Sequence, residues 1–178
     1  MKRILITLIA LSLCSCADTT STSSSTTSTT STNSSTTTSI VAPAANAKFV
    51  AAVSITQTIL EIGGKLALST QSSTTQLEFA KYLSGSGHVF ESLETGMAPT
   101  SAQVTNALAA YFPTTSSQYT TIVQLATAAV SGITDAIKAY VPANAANYAA
   151  YVNYSLEALA KTAYTVADPY LTSTTAAQ

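Results

Sequence analysis

The side chains with the most chemistry within a short stretch lie in HVFESLE, residues 88–94. A histidine and two carboxylates at intervals of three could begin a metal site or supply acid and base groups. Metal sites in helical bundles draw such ligands from several helices, and this chain has one histidine. On a helix with Phe90 inward, His88 would point about 160° and Glu91 about 100° away from the core. Glu94, about 40° off, comes near the core, and we predict no metal or catalytic site here.

Other signatures of catalysis and of nucleic-acid binding are missing from the sequence. There is no G-x-S-x-G turn for a nucleophilic serine and no glycine-rich phosphate loop. Charged residues make up 8% of the chain, against about 25% in a typical domain. Beyond the first three residues, five lysines stand against eight acidic residues, which is not the basic surface that binds nucleic acid. We predict a protein that is not an enzyme, needs no cofactor and binds no nucleic acid.

Tyrosine is the abundant functional side chain, with nine copies and no tryptophan. On a helix that sets Val152 inward, Tyr148 would lie at the boundary of the buried face, Tyr151 on its flank and Tyr154 outside. Amphipathic aromatic side chains that face outward often mark contact surfaces, so these three tyrosines form a candidate contact surface. The alternative is that they cover the edge of the core with their hydroxyls in water, and we favour that alternative.

The two cysteines lie in LSLCSCADTT, residues 11–20, where an apolar run ends and a polar chain begins. The chain opens with a basic Lys2-Arg3 pair, continues through ILITLIALSL, residues 4–13, and reaches small residues. That order is typical of a secretory signal. The apolar run is shorter than the roughly 20 residues that a membrane-spanning helix needs. We predict that residues 1–15 are a signal peptide.

The end of this signal, Leu13-Cys14-Ser15-Cys16, resembles the lipobox of bacterial lipoproteins. The resemblance implies that the sulfur of Cys16 receives a diacylglycerol and that the signal is cut just before it. Cys14 fits less well, because Leu13 would then precede the cut, where the family has a small residue. Ala17, rather than aspartate, is similar to the residue found in lipoproteins sent to the outer membrane. The alternative is an ordinary signal with two incidental cysteines.

A serine- and threonine-rich segment follows the cysteines. Residues 16–44 are almost free of apolar periodicity and cannot bury enough surface to offset the entropy of ordering them. A flexible coil of this length spans about 30 Å on average. We predict a lipid-anchored flexible linker over residues 16–44, a helical domain over residues 45–171 and a disordered tail over residues 172–178.

The domain itself shows five apolar stripes with the spacing of helices and no alternation of period two. The predicted inward-facing residues, segment by segment, are Ala52, Ile55, Ile59, Ile62 and Leu66; Phe79, Leu83, Phe90, Leu93 and Met97; Val104, Leu108 and Tyr111; Tyr119, Val123, Ala126, Val130, Ile133, Ile137 and Tyr140; and Ala145, Ala149, Val152, Leu156, Leu159, Ala163, Val166 and Tyr170. Each stripe needs a partner surface, and short connections favour antiparallel neighbours. We predict an all-α antiparallel bundle of four to five helices.

Capping residues and prolines predict several helix ends, and glycines inside two of the stripes raise the question whether those helices are continuous. Asn46 is a plausible cap of the first helix, and the capping-box pattern occurs at Thr100–Gln103 and again at Thr115–Gln118. The five prolines fall between stripes and indicate breaks. Glycines interrupt two stripes: we expect the first helix to continue through Gly63-Gly64, whereas residues 85–87 should bend or split the second.

These observations favour a lipid-anchored cell-envelope protein whose helical domain acts as a binding or structural module. Cys16 would bind it to membrane lipid. The domain would bind an envelope protein, a glycan or a second copy of the chain. It would lie on the periplasmic or the outer face of the membrane. The alternative is a membrane-active lipoprotein of the pore-forming or phage-exclusion type, suggested by the uncharged, small-residue segment at residues 121–134. A surface-binding helix of the ice-binding type lacks the regular threonine spacing it would need.

Overall fold

The computed structural model describes residues 46–172, and this part of the chain is all-α. Five helices follow one another with short connections: α1 (Ala47–Ser69), α2 (Ser73–Ser92), α3 (Ser101–Tyr111), α4 (Ser117–Tyr140) and α5 (Tyr148–Thr172). The helices pack on one another around a shared apolar core. The predicted all-α helical bundle is therefore confirmed.

The two most extensively packed helix pairs are antiparallel. In the α1–α4 pair, the side-chain amide of Asn46 donates to the carbonyl of Tyr140 at 2.7 Å, so the start of α1 meets the end of α4. In the α2–α5 pair, Gly87 lies against Tyr164, whereas Gly96, just past the end of α2, donates its N–H to Asn153 near the start of α5.

Helices α1 and α5 pack side by side in the same direction. Phe49 meets Tyr151 near the start of both helices, at a ring-centroid distance of 4.9 Å with the rings nearly perpendicular. Further along, the Gln57 amide donates to the carbonyl of Ala158 and to the hydroxyl of Thr162. The two helices are parallel because α3 lies between α2 and α4 in the chain. It returns the chain before α4 begins, so α4 runs in the same direction as α2, and α5 runs in the same direction as α1.

Most of the predicted inward-facing residues of α2 to α5 are buried. The buried members are Phe79, Leu83, Phe90, Val104, Leu108, Tyr119, Ala126, Val130, Ile133, Ile137, Val152, Leu156, Leu159, Ala163 and Val166. Met97, Tyr111, Tyr140 and Ala149 are exposed instead, because each lies at or near the end of a helix or in the connection beyond it.

Helix α1 presents the opposite face to the one predicted. Its buried residues are Phe49, Val53, Thr56, Leu60, Gly64 and Leu68, whereas Ile55, Ile59, Ile62 and Leu66 are exposed. The reason is that α1 has two apolar faces and only one can enter the core. The buried face carries Gly64, whose missing Cβ leaves room for the side chains of Leu83 and Val166, each 3.2 Å from where that atom would lie.

The glycine predictions had mixed outcomes. Helix α1 continues through Gly63-Gly64 as expected, with Lys65 and Glu61 paired across them. Helix α2 runs unbroken from Ser73 to Ser92 through residues 85–87, so the predicted split does not occur. The rings of Phe112 and Tyr164 occupy the space beside Gly85 and Gly87, and the glycines are there to accept these rings.

The helix ends follow the predicted caps with two exceptions. The Asn46 side chain accepts the N–H of Phe49 at 3.1 Å, and the capping box of Thr100 with Gln103 is formed on both sides. Helix α4 is capped by Ser116, one residue later than predicted. Pro169 does not end α5 but lies inside its last turns.

Candidate contact surfaces

The most prominent exposed apolar feature is a row of four side chains on α1, which we call the α1 stripe: Ile55, Ile59, Ile62 and Leu66. Their exposed fractions are 51%, 38%, 60% and 47%, respectively. The steps of four, three and four residues place all four within an arc of about 60° around the helix. The α1 stripe is therefore narrow, continuous and about three turns long.

The borders of the α1 stripe differ on its two sides. On one side lies α4. Its Leu125 side chain covers Gly63, and the Thr56 side chain packs against its Gly132. On the other side the exposed residues are polar, and the Thr58 hydroxyl donates to the carbonyl of Ser54. The charged residues on this border, Glu61 and Lys65, form an ion pair with each other. This border is thus polar and its two charges are paired, and the exposed Lys48 lies at the N-terminal end of the row.

The predicted tyrosine surface on α5 is largely an internal layer. Tyr151 is only 7% exposed, because the ring of Phe49 at the start of α1 packs edge-on against it. Tyr151, predicted on the flank of the buried face, is therefore buried and does not form part of an exposed contact surface. Tyr148 and Tyr154 are half-buried and pack against the core, and the Tyr154 ring lies 6.3 Å from that of Phe49. This arrangement matches the alternative in which the tyrosines cover the edge of the core.

His88 lies on the surface of α2 and contacts α5. Its Nδ1 is 2.8 Å from the Tyr164 hydroxyl and 3.4 Å from a carboxylate oxygen of Glu91. The imidazole and the phenol also meet edge to face, with ring centroids 5.2 Å apart. Partial burial, with a hydrogen bond to Glu91, raises the pKa of Tyr164 above its ordinary value. The phenol therefore stays protonated and links the two helices at their surface.

Glu94 is half-buried at the end of the same face of the molecule. Burial raises its pKa above the ordinary value, and the nearby carboxylates of Glu157 and Glu91 raise it further. Within residues 46–172 no group of three or more histidine, cysteine or acidic side chains is arranged to hold a metal ion. His88 and Glu91 form a polar contact on α2, and His88 joins it to Tyr164 of α5.

Two helices, α1 and α4, are long and apolar enough to cross a membrane by length and composition alone. Of the apolar 18-residue stretch in each helix, 28% is buried inside the protein in α1 and 39% in α4. The low value for α1 reflects the α1 stripe, which adds apolar character without contributing to the core.

Cys16, the predicted lipidation site, lies outside the described residues, as do the predicted signal and linker. No family model matches the chain, and comparison with curated proteins and with solved structures found no match. The sequence pattern predicts that the residues of the α1 stripe are buried, whereas in the structure they form an exposed surface. The signal that could have raised the question is the second apolar row on the same helix, Phe49, Val53, Leu60 and Leu68.

Proposed function

We propose that this protein is a lipid-anchored protein of the bacterial cell envelope whose helical domain is a non-catalytic binding module. Cys16 in its lipobox-like setting would carry the lipid, and residues 16–44 would hold the domain near the bilayer. Two or three acyl chains hold a protein on a membrane stably, whereas one chain does so only marginally.

The observation that carries the binding role is the exposure of the α1 stripe. Four large aliphatic side chains in a row are costly to leave in water, at about 25 cal/mol per Å² of apolar surface. Contiguous exposed apolar surface bordered by polar residues commonly marks a site of interaction. The stripe lies on α1, and α1 is the helix that directly follows the linker, so the contact surface would be presented near the anchor.

Fractionation of bacteria that express the full chain tests the anchor. Incorporation of labelled fatty acid and retention in the membrane fraction are expected for the natural sequence, and Cys16→Ser should lose both. A Cys14→Ser variant is the matched control and should keep both. Equal retention of all three proteins without label would overturn the proposal. Protease treatment of intact cells then decides whether the domain faces the periplasm or the outside.

A second candidate function, a membrane-active lipoprotein, is favoured by the apolar character of α1 and α4. These helices pack against each other, so they could enter a bilayer only by leaving the core. Release of dye from liposomes by the purified protein would support this function. Liposomes that keep their dye while the protein stays helical would dismiss it.

A further inference from the structure

We propose that the α1 stripe is a self-association seam and that its occupant is the same stripe on a second copy of this chain. This inference rests on the proposed function, in that it names the partner of the proposed contact surface. It differs from the tyrosine surface considered above, since it uses a separate face of the bundle on another helix.

The spacing of the stripe favours a helix as the partner. Including the half-buried Ala52, the row advances by three, four, three and four residues to Leu66. That is the repeat of alternating core positions in a coiled coil, in which side chains of one helix insert between those of another. Three of the four large positions, Ile55, Ile59 and Ile62, are β-branched, which leaves them few rotamers to lose on packing. A second α1 helix presents the matching pattern.

The charges around the stripe permit two identical surfaces to meet. A two-fold dimer uses the same patch on both copies, so an unpaired charge close to the two-fold axis would face its own copy. Here Lys65 and Glu61 neutralise each other on one helix. The neighbouring border residues Ser54 and Thr58 are uncharged. The exposed Lys48 continues the row one heptad before Ile55, so an antiparallel seam centred on Ile59 keeps the two Lys48 side chains apart, whereas a parallel seam would bring them together.

The area of the stripe predicts a weak dimer. Four aliphatic side chains that are about half exposed offer on the order of 400 Å² of apolar surface. A stable dimer in solution buries about 800 Å² on each partner. Anchoring two copies in one membrane through flexible linkers raises their effective concentration and allows a smaller seam to suffice. We therefore expect dimers in the membrane and mostly monomers in dilute detergent solution.

The narrowness of the stripe argues against the bilayer as its occupant. Helices that lie in a membrane surface have a wide apolar face, with basic residues on the polar one. The α1 stripe covers an arc of about 60°, and its open border carries Glu61 beside Lys65 rather than a row of cations. A narrow row of this kind is the geometry of a seam between two helices.

Cysteine cross-linking of the full chain in bacterial membranes tests the seam. The lipidated protein would have no free thiol, so Ile62→Cys introduces a unique one at the most exposed position of the stripe. A short bis-maleimide should give a covalent dimer of Ile62→Cys. It should give none with the parent chain or with Tyr111→Cys, an exposed position on α3. Adding Ile59→Ser to Ile62→Cys should reduce the dimer product about tenfold or more, as for a central interface residue.

Matched controls separate loss of the seam from loss of the fold. Met97→Ser, a change at an exposed apolar residue away from α1, should leave the yield of dimer unchanged. Leu66→Ser should lower the yield as Ile59→Ser does, and circular dichroism should show the same helix content in all variants. An Ile59→Ser variant that keeps its helix content and still cross-links fully would overturn the proposal.

Absence of a dimer product can take three forms, and each contradicts self-association. If the Ile62→Cys thiol reacts with a water-soluble maleimide, the stripe is free. If it reacts only after detergent is added, the bilayer covers the stripe. If it cross-links to a different protein, the partner is another envelope component. Fatty-acid label in the same samples reports on the anchor separately, so failure of the seam and failure of the proposed function are distinguished.

Discussion

At the scale of single residues, the glycines of α2 show how a missing side chain can be required. Alanine is normally better than glycine inside a helix by about 1 kcal/mol. At Gly87, however, a Cβ would lie 2.6 Å from a ring carbon of Tyr164, and the ring is held by its contact with His88. The packing of α5 on α2 at this point depends on the absence of that atom.

We expect Gly87→Ala to lower the free energy of unfolding by about 1–3 kcal/mol, the usual cost of overpacking. Gly63→Ala is the matched control, because there the Cβ would meet only a terminal methyl group of Leu125, which can rotate away. That variant should be neutral or slightly stabilised. Urea unfolding of both variants measures the difference, and a Gly87→Ala protein more stable than the parent would contradict this account of the packing.

Glu94 gives the stability of the domain a dependence on pH. Its pKa is raised in the folded state, so the native protein holds a proton that the unfolded chain releases near its ordinary pKa, about 4.3. The free energy of unfolding should therefore fall as the pH rises from below that value through the folded pKa, and the loss should persist at neutral pH.

Glu94→Gln removes this titration, and we expect the variant to unfold at a higher temperature than the parent at neutral pH. In strongly acidic solution, where Glu94 is protonated, the two proteins should unfold together. Glu78→Gln, a change at an exposed glutamate on α2, is the control. An unfolding temperature of Glu94→Gln that never exceeds that of the parent would show that burial of this carboxyl costs nothing.

At the scale of elements, α1 marks the limit of what the sequence could predict. Helices α4 and α5 each have one dominant apolar face, and their spacing alone identified most of the buried residues. The capping box at Thr100 and the cap at Asn46 were likewise predictable, because they depend on neighbouring residues only. These local and periodic signals were enough to give the fold class.

Helix α1 could not be oriented in this way, because it has two apolar faces of similar strength. The choice between them depends on what the other helices offer, namely the side chains of Leu83 and Val166 that meet Gly64. Non-local packing also explains why α2 continues past Gly85 and Gly87. The candidate contact surface was misplaced for the same reason: an apolar row predicts a contact but does not say whether the contact lies inside the domain.

A pair of substitutions two residues apart tests the orientation of α1. Leu60→Ala should lower the free energy of unfolding by about 2–5 kcal/mol, since Leu60 is fully buried. Ile62→Ala should change it by no more than about 0.5 kcal/mol when the protein is monomeric. Denaturant unfolding in dilute detergent gives both values. A larger effect at Ile62 than at Leu60 would mean that the helix is turned the other way.

At the scale of the whole molecule, the proposed protein has three parts: a lipid at Cys16, a hydroxyl-rich linker and a helical bundle with one apolar stripe. A flexible linker over residues 16–44 would allow the bundle to search a radius of about 30 Å around its anchor. Such a tether would let the α1 stripe find a second anchored copy without any fixed contact between the domain and the bilayer. The position of the lipid is the premise on which the other parts depend.

The mass of the mature protein isolated from bacterial membranes tests that premise most directly. We predict that the N-terminal residue is Cys16 and that its sulfur carries a diacylglycerol in thioether linkage. An unmodified sulfur at Cys16, or a mature chain that begins at another residue and is recovered free of membranes, would contradict the account.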